Sequence, residues 1–316
     1  MKILIYGAGV IGSLYAVYFS KGGSDVSIYA RGNRLQELKE KGLSYFEKNK
    51  IETANVEVLE KVFDDDIYDF IFLTVREDNL KEALTELKEN KSKTIVTMVN
   101  TISPYAELEK LCGKGKILPA FPGAGGSIDG GILDAALTPR LQPTTFGEKD
   151  GKKTERSKLL ASLFKKSKIP YQIVPDMHNW QLSHLAMVVP LADAYYKSDE
   201  PKTVYLNKKI MHEAGKTMRD NFRLLAKRKM LSPNKFYLVT ICPLYLIAFI
   251  LKLTYKSEFG NKFMYRHSMK APKEMQKLKE EKEKLEREKA LEKQSKINFE
   301  KAKDIPKKIE IEEKKF

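Results

Sequence analysis

Ile3-Leu4-Ile5-Tyr6-Gly7-Ala8-Gly9-Val10-Ile11-Gly12, running on into Ser13-Leu14-Tyr15-Ala16-Val17-Tyr18-Phe19, is the stretch whose reading decides the fold. A short apolar run, glycines spaced G-x-G-x-x-G and a following apolar run predict a buried strand, a tight turn and a helix. That arrangement brings backbone close to a pyrophosphate and aims helix N–H groups at it. Gly7 then permits the turn, Gly9 leaves room for phosphate, and Gly12 lets the helix lie close on the strand. Val10 and Ile11 complete the cofactor-binding turn. A purely structural glycine turn is the competing reading.

The next strand, Asp25-Val26-Ser27-Ile28-Tyr29-Ala30, bears on which dinucleotide is held. Where an NAD-binding protein usually carries an acid for the ribose hydroxyls, this chain has Arg31. A carboxylate there repels a 2′-phosphate, whereas a guanidinium pairs with it bidentately, so NADP is the expected cofactor. The alternative is that Arg31 and Arg34 are only the solvated start of a helix over 35–41.

The chain of 316 residues is long enough for two domains with apolar cores. Its formal charge of +15 invites a nucleic-acid reading, but in the C-terminus beyond residue 273 Lys and Glu interleave, and no nucleic-acid partner is expected. The two cysteines, Cys112 and Cys242, have no metal-ligand spacing; neither a metal site nor a disulfide framework is indicated, and the cytoplasm is the simplest compartment. The N-terminus enters a strand directly, without the pattern of a signal peptide. The apolar run 236–251 is fenced by Lys235 and Lys252 and interrupted by Pro243. It falls short of the ~20 residues that cross a bilayer, so a buried, kinked helix in the core or at a homodimer interface is expected and membrane attachment is the alternative.

Strand and helix patterns alternate from residue 55 onward: strands over 56–59, 68–75 and 94–99, with a helix over 80–88. Near-continuous apolar strands predict a doubly wound parallel sheet covered on both faces, with ligands at the carboxyl ends of its strands. That rule singles out Arg76, which can neutralise cofactor phosphate, and Asn100, whose amide can orient a nicotinamide or a substrate oxygen. A surface charge and a helix cap are the plainer roles for these two. The glycine-rich stretch 121–131 is expected to be neither regular helix nor strand; it reads equally as a cofactor or substrate approach or as an ordinary hairpin connection. An extended segment over 142–148, a helix over 155–166 and a segment over 171–174 complete the first domain.

Gly7, Gly9, Gly12, Arg31, Arg76 and Asn100 together resemble the ketopantoate reductase family. The resemblance covers about the first half of the chain. It implies a Rossmann-type domain followed by an all-helical domain, with NADPH as hydride donor to a 2-keto acid. Arg76 stands where the family commonly has lysine, and Thr101 follows Asn100 in place of the usual glycine.

The second domain opens with a helix over 178–196 that Asp176 can cap and Pro190 should kink. The resemblance implies a catalytic lysine just after Trp180, but Gln181, Leu182, Ser183 and His184 occupy that place. An asparagine a turn further on is also missing, since Leu185, Ala186 and Met187 fill the region. Reduction of a ketone leaves an alkoxide that must be protonated or stabilised. Glutamine cannot supply that proton, so His184 is the candidate acid and Gln181 a candidate substrate-orienting amide; a packed core histidine is the alternative. His267, Ser268 and Glu274 are weaker candidates for the family's later serine and glutamate, and residues after 273 read as a charged helical or frayed tail. The sequence thus predicts an NADP-binding domain over 1–174, a helical substrate or dimerisation domain over 175–272 and a tail over 273–316. The expected function is NADPH-dependent reduction of a small 2-keto acid or related carbonyl. A degenerate NADP(H)-binding sensor or scaffold is the alternative.

Overall fold

The computed structural model describes residues 1–101, 103–138, 142–257 and 260–265. The candidates His267, Ser268 and Glu274 and the tail lie outside the described residues.

Strand β1 (Lys2–Tyr6) leads through the glycine turn into α1 (Val10–Lys21), then β2 (Asp25–Tyr29) and α2 (Gly32–Lys41). A hairpin follows, β3 (Leu43–Glu47) and β4 (Lys50–Ala54), then β5 (Glu57–Leu59), β6 (Phe70–Leu73), α3 (Leu80–Glu86), β7 (Ile95–Thr97), α4 (Tyr105–Cys112) and β8 (Ile117–Phe121). The domain ends with β9 (Ala124–Asp129), β10 (Ile132–Leu137), β11 (Thr144–Phe146), α5 (Glu155–Lys166) and β12 (Tyr171–Ile173). Eight strands form one sheet in the order β12-β11-β8-β7-β6-β1-β2-β5. Every pairing from β8 to β5 is parallel, and only the β8–β11 pairing is antiparallel. The chain leaves β1 in one direction to β2 and later in the other to β6, so the switch point lies beside the carboxyl end of β1.

Both faces of this sheet are covered, which is why its strands read as unbroken apolar runs. Ile3, Ile5, Phe70 and Phe72 point to one face, where Phe19 of α1 and Phe164 of α5 pack against them. Leu4, Tyr6, Ile71 and Leu73 point to the other, into a core shared with Leu80, Leu84 and Leu108 of α3 and α4. The capping box between Thr154 and Ser157 starts α5.

A second, four-stranded sheet in the order β4-β3-β10-β9 corrects one expectation. The glycine-rich stretch does hold a regular strand, β9, because its pairing with β10 supplies backbone hydrogen bonds that side-chain pattern does not reveal. The β3–β4 hairpin turns on Lys48 and Asn49, both left-handed at φ 47° and 67°.

The helical part comprises α6 (Met177–Tyr196), α7 (Lys208–Lys227), α8 (Tyr237–Ile241) and α9 (Leu244–Lys256). Asp176 caps α6, accepting from the Asn179 amide at 2.8 Å. Pro190 lies within α6 without ending it. Its missing N–H would have served the Ala186 carbonyl, and Asn221 of α7 donates to that carbonyl at 3.2 Å instead. Met177 and Trp180 pack into the sheet-side core, whereas Leu182, Leu185, Ala186 and Val189 build a separate core with α7 and α9.

The run 236–251 does bend at Pro243, but it is not the buried helix expected of it. Cys242 takes the extended conformation that a residue before proline prefers, and the chain breaks there into α8 and α9, bent by 120°. Ile247, Leu251 and Tyr255 face the core, but Leu238, Ile241, Tyr245, Phe249, Ile250 and Leu253 are exposed. No single described helix is long and apolar enough to cross a membrane.

Candidate active site

At the switch point lies a cleft of about 380 Å³, lined by the glycine turn at Gly7, Ala8 and Gly9, by Tyr6, Val75 and Ile128, and by Tyr29 to Arg31 with Arg34. Each glycine of the turn has its own physical reason. Gly7 sits at φ +113°, which favours glycine. A Cβ on Gly12 would stand 1.9 Å from the Gly7 carbonyl oxygen and 2.5 Å from Thr74 Oγ1, so only glycine lets α1 lie this close. A Cβ on Gly9 would meet nothing within 4 Å. That open space lies over the start of α1, whose first turn has no side-chain cap and carries no acidic residue. Unpaired N–H groups and the positive end of the helix dipole therefore face a space with room for a phosphate. Thr74 Oγ1 donates to the Gly7 carbonyl at 2.7 Å, and Ser13 Oγ donates to that of Ala8 at 3.1 Å, holding the turn from within.

Two arginines flank the cleft. Arg31 follows β2 and its guanidinium pairs with Glu82 at 2.9 Å and Glu86 at 3.1 Å, both on α3. The Glu82 hydrogen bond raises the Arg31 pKa further, so the residue is a permanent cation. Tyr6 donates its hydroxyl to Glu86, and burial, reinforced by that carboxylate, holds the phenol well above its ordinary range. Arg34, one turn into α2, is not the solvated side chain its position suggests. It donates through Nε to the Ala8 carbonyl at 3.1 Å and reaches Glu37 at 2.9 Å and the Gly131 carbonyl at 3.2 Å, tying α2 and the β9–β10 turn to the glycine turn. The sequence signal for it was the i, i+3 spacing from Arg31. Nothing in the sequence signals that Glu82 and Glu86 meet Arg31, since α2 and four strands separate them along the chain.

Because β1, β2, β6, β7 and β8 run parallel, their carboxyl ends share one edge. That edge brings together Gly7 to Gly12, Arg31, Arg76, Asn100 and Phe121. Arg76 is exposed and precedes a short 3₁₀ turn; its neighbour Val75 lines the cleft, but Arg76 does not. Asn100 is partly buried, and its Oδ1 is buried without a hydrogen-bond partner. An orphaned acceptor at the carboxyl end of a parallel strand fits a ligand donor such as a carboxamide or a hydroxyl.

The first turns of α6 close over this edge beside Phe121. Gln181 does not reach open space. It is fully buried, accepting from the Tyr105 hydroxyl at 2.5 Å and donating to the Val99 carbonyl at 3.4 Å. The geometry therefore corrects its expected role from substrate-orienting amide to a tether between α6 and the loop that carries Asn100. Burial raises the Tyr105 pKa, keeping that hydroxyl a donor. His184, one turn along, is 9% exposed and stacks on Trp180 at 5.3 Å with a 6° tilt, and Phe121 packs against both rings, 4.4 Å from His184 and 5.2 Å from Trp180. Neither Gln181 nor His184 lines the cleft at the glycine turn. No group of carboxylate, histidine and cysteine side chains suited to a metal occurs among the described residues.

Sheet order, glycine turn and switch-point cleft define a Rossmann-type NAD(P)-binding fold with an appended helical domain. Residues 3–147 match the profile of the ketopantoate reductase PanE/ApbA family. A curated relative, a 2-dehydropantoate 2-reductase from Mesorhizobium japonicum, is 29% identical over 138 residues, 43% of this chain and 38% of the relative. The chain thus matches well under half the length of that relative. The fold likeness extends further. A 2-dehydropantoate 2-reductase structure from Porphyromonas gingivalis superposes with a TM-score of 0.63 at 15% identity, covering 89% of this chain and 98% of that one. A D-mandelate dehydrogenase bound to NADH and anilino(oxo)acetate gives 0.60 at 17% identity, covering 84% of each chain.

Proposed function

We propose that this chain is an oxidoreductase of the ketopantoate reductase type that uses NADPH to reduce a 2-keto acid or a related carbonyl compound. The observation that carries the proposal is the cleft itself: an open cradle at Gly9 over the start of α1, with Arg31 and Arg34 at its side. Gly7, Gly9, Val10, Ile11 and Gly12 would hold the pyrophosphate with backbone N–H groups. Arg31 would pair with the 2′-phosphate and Arg76 would add positive charge at the rim. Asn100 Oδ1 would take a donor from the nicotinamide carboxamide or from the nascent hydroxyl of the product. When bound, the cofactor supplies hydride from its nicotinamide ring to the carbonyl carbon. His184, one turn beyond the Gln181 tether on α6, would neutralise the alkoxide; the contacts of Trp180 and Phe121 with its ring would fix its orientation.

One observation favours a second reading. The place that the family resemblance gives to a lysine holds a neutral glutamine consumed by Tyr105 and Val99, as expected of a cofactor-binding sensor without turnover. The oxidoreductase reading is preferred, because the relatives named above are reductases and dehydrogenases and Asn100 keeps a free acceptor at the edge.

Titration with NADPH and NADH, monitored by nicotinamide fluorescence, tests the cofactor assignment. NADPH should bind more tightly, and Arg31→Ala should remove about 1.5–3 kcal/mol of that preference, the worth of a hydrogen-bonded charge pair. Equal affinities in the unmutated protein would overturn it.

A further inference from the structure

The surface of α8 and α9 is unlike that of a soluble helix pair. α9 carries apolar side chains on both its inner and outer sides: Ile247, Leu251 and Tyr255 face the core while Tyr245, Phe249, Ile250 and Leu253 face outward. Such a helix is normally enclosed, either by protein or by lipid. Leu238 (68% exposed) and Ile241 (77% exposed) extend the patch onto α8 across the 120° bend. A contiguous group of this kind marks an interaction site.

Charge identifies the occupant. Between Asp220 and Glu258 the sequence contains no acidic residue, while Arg223, Lys227, Arg228, Lys229, Lys235, Lys252 and Lys256 are all basic. Lys235 stands exposed just before α8, and Lys252 and Lys256 are exposed on α9 itself, one and two turns beyond Phe249. Arg223 of α7 donates to the Thr240 carbonyl at 2.8 Å, which fixes another cation against α8. A second copy docked by two-fold symmetry would set these cations against their own images. An anionic lipid surface complements them, taking the apolar side chains into its acyl boundary while the lysines stay among the headgroups. The exposed Tyr237 and Tyr245 have the amphipathic character favoured at that depth. With 13 residues, α9 is about 20 Å long, short of the roughly 30 Å hydrocarbon layer, so it suits lying on a bilayer and not crossing it.

We propose that the outer face of α8 and α9 is a docking surface for an anionic membrane, holding the protein at the bilayer by apolar insertion and lysine–headgroup attraction.

Flotation of the full chain with phosphatidylcholine vesicles, with and without one-third phosphatidylglycerol, tests this. The protein should float with the anionic vesicles and release as salt is raised. Changing Lys235, Lys252 and Lys256 to Gln should weaken partitioning about 10²-fold, at about 5-fold per lysine. The triple variant Ile241→Ser, Phe249→Ser, Leu253→Ser should abolish it with an unchanged circular dichroism spectrum and thermal midpoint, since all three side chains are exposed. Light scattering of the same samples reports the oligomer. Failure to float with either vesicle, equal salt-independent binding to both, or a dimer that the serine variant splits without any vesicle binding would each overturn the proposal.

Discussion

Two neighbouring glycines should respond to the same substitution in opposite ways. At Gly12, Ala places its Cβ 1.9 Å from the Gly7 carbonyl oxygen, 2.5 Å from Thr74 Oγ1 and 2.9 Å from Ile5 Cγ2. Real Cβ–oxygen contacts are rarely below about 3 Å, so α1 must retreat by about 1 Å or the turn must open; overpacking of this kind costs about 1–3 kcal/mol. At Gly9 the same Cβ meets nothing within 4 Å, and φ −71° with ψ −171° is open to any residue. The lost chain entropy of the unfolded state stabilises Gly9→Ala by about 0.4–1 kcal/mol, and the poorer N-cap offsets a few tenths or more of that. Gly9→Ala should therefore melt within a degree or two of the parent yet bind NADPH roughly 5- to 150-fold more weakly, because its methyl fills the phosphate cradle. Gly12→Ala should lose both stability and affinity. Thermal unfolding and calorimetric titration on the two variants give the answer. Undiminished NADPH affinity in Gly9→Ala would remove the pyrophosphate from that cradle, and a Gly12→Ala protein as stable as the parent would refute the packing argument.

Three further outcomes are expected. His184→Gln should lower turnover about 10²- to 10⁴-fold with NADPH affinity almost unchanged, since an acid acts in the transition state; an unaltered rate would leave the residue only its stacking role. Glu82→Gln combined with Glu86→Gln should tighten NADPH roughly 2- to 30-fold, because two exposed pairs worth about 0.2–1 kcal/mol each no longer compete for Arg31; weaker binding would show that the carboxylates serve the cofactor directly. Burial alone would raise the Glu148 pKa, but hydrogen bonds from Arg156 and Thr154 outweigh it and hold the carboxyl below its ordinary range. The stability this pair contributes is then complete above the ordinary glutamate range and lost as pH falls through the lowered value. The melting-temperature gap between the parent and Glu148→Gln should narrow progressively as pH falls below the ordinary glutamate range, and a gap that does not change with pH there would contradict the assignment.

The parallel sheet was legible because its strands are covered on both faces and so read as apolar runs, and the turn was legible because Gly7 and Gly12 are demanded by backbone geometry. The second sheet was not. Its β9 strand is rich in glycine and small residues, and what makes it a strand is its ladder to β10, a pairing across the Gly130-Gly131 turn that local pattern does not encode. Arg31 was readable from its place after β2, but its engagement with α3 carboxylates depends on β6 and β7 bringing that helix round. Gln181 was singled out as the occupant of the place that the resemblance gives to a lysine. Its burial against Tyr105 was invisible, because the two lie 76 positions apart. For 236–251, Pro243 marked the break, but composition alone does not say which apolar side chains a fold leaves outside.

The most direct test of the central claim is isotope transfer. The protein is incubated with NADPH dideuterated at nicotinamide C4 and a panel of 2-keto acids, and the products are analysed by mass spectrometry. One deuterium on the new carbinol carbon of at least one product, dependent on the protein and reduced by His184→Gln, is the predicted result. Tight NADPH binding with no deuterium in any product would contradict the reductase assignment and leave the cofactor cleft as a sensor.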